Sequence, residues 1–264
     1  MTSYAVNASI LLTDLPLLQR PAAVAAAGFR AVEFWWPFAV AVPTDPEIDA
    51  FVAAISDAGV QLSGLNFFAG NMPAGDRGLV SWVGRESEFR DNVEVVAGIG
   101  ERLGCLGFNA LYGLRTDDIT PEAADELAAE NLRFAAERIA RIGGTVFVEP
   151  VSGAPAYPVK TAADALAVID RVGADNVKLL ADFYHLATNG DSVATVIADH
   201  AQQFGHIQIA DAPGRGRPGS GTLPLTEWLA AAAAGGYKGY VGLEYVDASD
   251  DPFGWLPTTE RSGS

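Results

Sequence analysis

Short apolar runs alternate along the chain with longer segments in which apolar residues recur every three or four positions. The short runs, at 4–10, 31–35, 60–67, 106–111, 145–149, 177–182, 206–210 and 240–244, predict eight strands. The longer segments, at 17–27, 46–58, 86–103, 121–142, 162–172, 193–204 and 225–234, predict helices. Gly28, Gly59, Gly104, Gly143, Gly173 and Gly235 stand just past predicted helix ends, where a left-handed residue is wanted, and Thr120-Pro121 has the form of a cap followed by a first-turn proline.

No linker rich in Pro, Gly and Ser divides this alternation, which predicts one domain over residues 1–264. A strand–helix unit repeated eight times closes most simply into a single (β/α)8 barrel, the TIM-barrel member of the α/β class; an open doubly wound sheet is the alternative. Several predicted strands end in a group capable of chemistry: Glu33, Asn66, Glu149, Asp182, Gln208 and Glu244. A barrel gathers such ends at one rim, whereas an open sheet spreads them along a line.

Composition narrows the function classes. With 49% hydrophobic and 19% charged residues, the chain has ample material for a core and is not disordered. Its formal charge of −16 repels phosphate backbones and anionic headgroups, so neither nucleic acid nor membrane is an expected partner. The single cysteine, Cys105, lies in the apolar stretch Cys105-Leu106-Gly107-Phe108 and is expected to be a structural thiol. The first residues lack a basic segment, and Asn7, Thr13, Asp14 and Pro16 break their apolar run, so a cytoplasmic location is expected and the Asn7-Ala8-Ser9 sequon is idle.

The late strand ends hold the densest candidate chemistry. Glu149, Asp182 and Glu244 close, and Gln208 interrupts, four consecutive predicted strands, which puts three carboxylates and one amide around a common point. Crowded carboxylates need a cation or shifted pKa values, and an all-oxygen set suits Mg2+ or Mn2+ better than zinc. His185, three residues past Asp182, is expected on the loop over the rim, placed for a substrate oxygen or a proton relay, whereas His200 and His206 are expected to be structural. Arg215 and Arg217 concentrate positive charge after the seventh strand; Arg215 either clamps a substrate carboxylate or lies on a solvated loop.

The spacing Gly214-x-Gly216-x-x-Gly219 formally matches a dinucleotide fingerprint, but it follows a late strand, Pro218 interrupts it, and no helix opens at the required point. Aromatics at Phe34-Trp35-Trp36-Pro37-Phe38 and Phe67-Phe68 either wall a pocket or form a surface for a homo-oligomer. Glu33, just before the first cluster, either orients a ligand or pairs with an arginine. Serine-hydrolase, P-loop, zincin and CxxC patterns do not occur.

These residues resemble the hydroxypyruvate isomerase family of the xylose isomerase-like barrels. The matching stretches run from Asn7-Ala8-Ser9 and 28–34, through Asn66, 74–78 and Gly84-Arg85-Glu86, to Val148-Glu149, Asp182-Phe183-Tyr184-His185, 206–210, Pro213-Gly214-Arg215 and Gly242-Leu243-Glu244-Tyr245. Gln208 is the most specific mark, because related ketose epimerases usually carry His at that ligand position. The resemblance implies a divalent cation held by Glu149, Asp182, Gln208 and Glu244, with His185 and Arg215 in substrate contact, and Asn66 and Glu33 as further substrate-binding candidates. The chain departs from the family pattern after Arg215, where Gly221-Thr222-Leu223-Pro224-Leu225 replaces a common Gly-Glu-Ile-Asn-Tyr; that difference bears on the substrate and not on the ligand positions.

The implied activity, in carbohydrate metabolism, is isomerisation of a small 2-oxo acid, hydroxypyruvate to tartronate semialdehyde or a slightly longer homologue, with Glu149 and Glu244 as the acid–base pair. A ketose 3-epimerase would use the same parts. A phosphodiester hydrolase would need more metals, more histidines and a basic face. A non-catalytic sugar-acid sensor would not need two proton-transfer groups.

Overall fold

The computed structural model describes residues 2–262. Strands β1 (Ser3–Asn7), β2 (Ala31–Phe34), β3 (Gln61–Asn66), β4 (Gly107–Asn109), β5 (Thr145–Val148), β6 (Val177–Asp182), β7 (Phe204–Ile209) and β8 (Tyr240–Leu243) pair in chain order, all parallel, and β8 returns to β1. The closed order is that of a (β/α)8 barrel and excludes the open sheet. The α-helices among the described residues are α1 (Arg20–Ala26), α2 (Asp45–Ala58), α3 (Glu86–Leu103), α4 (Pro121–Ala140), α5 (Ala162–Val172), α6 (Phe183–Asn189), α7 (Val193–His200), α8 (Leu225–Ala234) and α9 (Thr258–Arg261), with short 3-10 turns at Leu17–Gln19, Met72–Ala74 and Ala201–Gln203. No helix among the described residues is long and apolar enough to cross a membrane.

Large interior side chains face glycines on the next strand or the next but one. A methyl group at Gly107 or Gly205 would lie 2.9 or 2.6 Å from the Phe147 ring, and one at Gly242 would lie 2.5 Å from Glu33 Oε1. These glycines let bulky and polar side chains share the barrel interior. Cys105 is fully buried, and burial pushes its thiol up to about 12, as a structural thiol requires.

Element ends differ from the sequence reading where local hydrogen bonding competes. β1 stops at Asn7 because the chain turns there: Asn7 O accepts from Leu11 N–H at 3.0 Å, and Asn7 Oδ1 accepts from Ser9 N–H at 3.1 Å. The helix predicted to reach residue 204 ends at His200, and β7 starts two residues earlier than predicted, where the buried Phe204 pairs beside Leu179. The first predicted helix opens as a tight turn over Leu17–Gln19 before α1. Gly28, Gly59, Gly104, Gly143 and Gly173 take positive φ as predicted, but Gly235 stays helical at φ −73° and Gly236 turns the chain at +102°. Thr120 caps α4 through Ala123 N–H at 3.3 Å.

Candidate active site

The last four strands carry Glu149, Asp182, Gln208 and Glu244 to one rim, all four buried. Glu149 and Glu244 stand one residue beyond β5 and β8, and Glu244 N–H still donates to Ile209 O at 3.2 Å. Above them opens a cavity of about 1000 Å3, whose wall includes Asn66, Glu149, His185, Arg215 and Glu244. Trp35, Trp36, Phe38 and Phe68 line the same cavity, so these aromatics wall a pocket, while Phe67 is core.

Each of the four donors is held on one side by the protein. Glu149 Oε2 accepts from Asn109 Nδ2 at 2.6 Å, and Glu244 Oε2 accepts from Asn7 Nδ2 at 2.8 Å. Asp182 Oδ1 accepts from the N–H groups of Tyr184 (2.8 Å) and His185 (3.1 Å), which makes it the cap of α6 as well as the end of β6. Gln208 Nε2 donates to Glu33 Oε1 at 2.7 Å and to Glu244 Oε2. Glu244 Oε1 pairs with Arg215, whereas Asp182 Oδ2 and Gln208 Oε1 are buried and have no hydrogen-bond partner among the described residues. Two such oxygens beside two carboxylates fit a hard divalent cation, because a buried acceptor without a donor is otherwise costly.

Electrostatics point the same way. Burial, reinforced by the neighbouring Asp182, pushes Glu149 up to about 8. Burial raises Glu244 well above the usual carboxylate range, against the pull of Arg215. Glu149, Asp182 and His185 each place an atom within 4.8 Å of the others, a spacing at which the two carboxylates could share a metal ion.

His185 lies in the first turn of α6 rather than on a loop, since Asp182 starts that helix at once. Its Nδ1 accepts from Ser152 N–H at 3.1 Å, with Ser152 Oγ at 2.7 Å. A main-chain N–H only donates, so the ring proton sits on Nε2, 3.7 Å from Asp182 Oδ2 and 4.0 Å from Glu149 Oε1. Burial lowers the ring to about 4, which keeps it neutral.

Arg215 is largely buried rather than solvated: its guanidinium pairs with Glu244 and lies 3.7 Å from Asp182 Oδ2. Its backbone adopts φ +56° on a loop organised by the buried Asp211, whose carboxylate accepts from the N–H groups of Ala212, Gly219, Gly221 and Leu223 at 2.9 to 3.0 Å. The Gly214–Gly219 spacing lies in this loop, and the next helix opens only at Leu225. Arg217 is more exposed, 3.7 Å from Asp247.

Glu33 does not line this cavity, and among the described residues its ion-pair partner is His206 rather than an arginine. It lies inside the barrel, 2.6 Å from His206 Nε2 and 3.1 Å from Asn7 Nδ2 as well as against Gln208, and His206 stacks on Phe147. Burial of Asn7, at 1% exposure, also closes the sequon to modification.

Asn7, Asn109, Ser152 and Asp211 escaped the sequence reading as site residues. The available signal was a lone amide or carboxylate at the end of an apolar run, as in Gly107-Phe108-Asn109 and Gln208-Ile209-Ala210-Asp211.

The sequence matches the model of the xylose isomerase-like TIM barrel family over residues 21–261. A Streptomyces coelicolor protein provisionally named a hydroxypyruvate isomerase is 51% identical over 98% of this chain and 97% of its own. The Escherichia coli hydroxypyruvate isomerase is 31% identical over 93% of each chain, and a 2-oxo-tetronate isomerase of Cupriavidus necator is 33% identical over 97% of this chain and 98% of its own. A Brucella melitensis crystal structure described as an AP endonuclease of family 2 superposes with a TM-score of 0.88 at 31% identity, over 97% of this chain and 98% of the other.

Proposed function

The chain belongs to the xylose isomerase-like TIM barrel family and is an isomerase, and from that premise we propose that it moves a proton between neighbouring carbons of a small 2-oxo acid. The substrate is hydroxypyruvate, giving tartronate semialdehyde, or the four-carbon homologue, and Glu149, Asp182, Gln208 and Glu244 hold Mg2+ or Mn2+. The observation that carries the cation is the pair of buried, unpartnered oxygens, Asp182 Oδ2 and Gln208 Oε1. When bound, the cation supplies Lewis acidity that stabilises negative charge on the substrate oxygens.

The chain's own groups divide the remaining work. One of Glu149 and Glu244 takes a proton from C3 of hydroxypyruvate, leaving an enediolate, and the other returns a proton to C2. The hydroxyl proton of O3 ends on O2, so the formula is conserved and the aldehyde appears at C3. A glutamate pair with raised pKa values suits this exchange, since each must both hold and release a proton near neutral pH. His185 acts through Nε2–H as a donor to a substrate oxygen and not as a ligand, because Nδ1 is already engaged by Ser152. Arg215 meets the substrate carboxylate, and the wall of Trp35, Trp36 and Phe38 excludes water.

A cavity of about 1000 Å3 exceeds the needs of a three-carbon acid, which supports keeping a 2-oxo-tetronate in the substrate class. The charge of −16 argues against a DNA substrate. The test is turnover of both acids by Glu149→Gln and Glu244→Gln: each variant should fold and lose at least about a hundredfold in kcat. Full turnover by either variant would end the assignment.

A further inference from the structure

We propose that Glu33 is a positioning residue that fixes the Gln208 amide so that its oxygen, not its nitrogen, faces the cation; the inference rests on the cation reading above. A glutamine side chain can present either end to a site. Here Gln208 Nε2 lies 2.7 Å from Glu33 Oε1 and also contacts Glu244 Oε2, and carboxylate oxygens only accept. The flipped amide would set an acceptor against two acceptors in a buried space, so Oε1 is turned the other way, where it has no partner.

Of the two carboxylates that hold the amide, Glu244 has other duties, being paired with Arg215 on the cavity wall. Glu33 lies off the cavity and faces only donors: Gln208, Asn7 at 3.1 Å and His206 at 2.6 Å. A slot is built for it, since a methyl group at Gly242 would lie 2.5 Å from Glu33 Oε1 and 2.8 Å from Gln208 Cγ. A carboxylate in this slot therefore acts on the site through the orientation of Gln208.

The experiment is Mn2+ binding to the EDTA-stripped full-length protein, read by the EPR signal of free Mn2+ without substrate. Glu33→Gln keeps the shape but offers Gln208 an amide that can donate, so affinity should fall on the order of 10- to 100-fold. In a Gln208→Glu background there is no amide to orient, so adding Glu33→Gln there should not weaken binding by more than about threefold relative to Gln208→Glu alone. Unchanged affinity in Glu33→Gln, or an equal loss when it is added to Gln208→Glu, overturns the inference while leaving the cation reading intact. A parent protein that binds no Mn2+ overturns both. Should Glu33→Gln not fold, the two Gln208→Glu proteins decide alone, by agreeing within about threefold or by failing to.

Discussion

Asn109 donates its side-chain amide to Glu149 Oε2 at 2.6 Å, from the end of β4 to the residue that follows β5. That bond favours the charged glutamate and pulls its pKa down against burial and Asp182. Removing the donor in Asn109→Ala should raise the pKa of Glu149 further, so less of it is deprotonated at a given pH. The acidic limb of the kcat profile is expected to move to higher pH, with activity recovering as pH rises. An unshifted limb with a uniform loss would show that Asn109 matters only for packing.

The glutamate pair also makes stability depend on pH. Both pKa values in the fold lie above the ~4.3 of an exposed glutamate, so the native state holds these protons more tightly than the unfolded chain. Their contribution is fully present below that value and is lost as pH rises toward about 8 for Glu149. In EDTA, Tm should fall between pH 5 and pH 8, less steeply in Glu149→Gln, and Mn2+ should remove most of the fall. A melting curve that Mn2+ leaves unchanged at pH 8 would contradict this.

Ser152 sets the His185 ring with two groups, its N–H and its hydroxyl. Since the main-chain donor survives substitution, Ser152→Ala should cost less than about tenfold in kcat/KM, whereas His185→Ala should cost about a hundredfold or more. Equal losses would mean that the hydroxyl, not the backbone, fixes the tautomer.

Asp211 ties down the loop that delivers Arg215 to Glu244. Asp211→Ala leaves four N–H groups without their acceptor, at about 1–3 kcal/mol for each that stays buried. The expected result is a Tm lower by about 4 °C or more together with a raised KM for the acid. A raised KM with wild-type Tm would place Asp211 in direct substrate contact instead.

The barrel was legible because strands buried on both faces read as unbroken apolar runs, and because glycines mark the helix ends. Glu149, Asp182, Gln208 and Glu244 were legible for a related reason: an oxygen donor closing an apolar strand stands out. What the pattern hides is side-chain direction. Glu33 sits within β2, one residue short of its end, and points at His206 and Gln208 inside the barrel, into space that Gly242, 209 residues away in sequence, leaves open. Helix α6 was missed because Asp182 serves strand and cap at once, which leaves no turn residues between the elements. Asn109 and Asp211 act through bonds to residues 40 and up to 12 positions away, and no local window contains such partners.

Metal-assisted proton transfer on a 2-oxo acid can be followed by NMR of the protein with hydroxypyruvate in D2O. Tartronate semialdehyde carrying deuterium at C2 should form, should cease in EDTA, and should return when Mn2+ or Mg2+ is restored. Turnover that survives EDTA, or a protein that leaves hydroxypyruvate and its four-carbon homologue untouched while exchanging the C3 proton of a ketose, would contradict it.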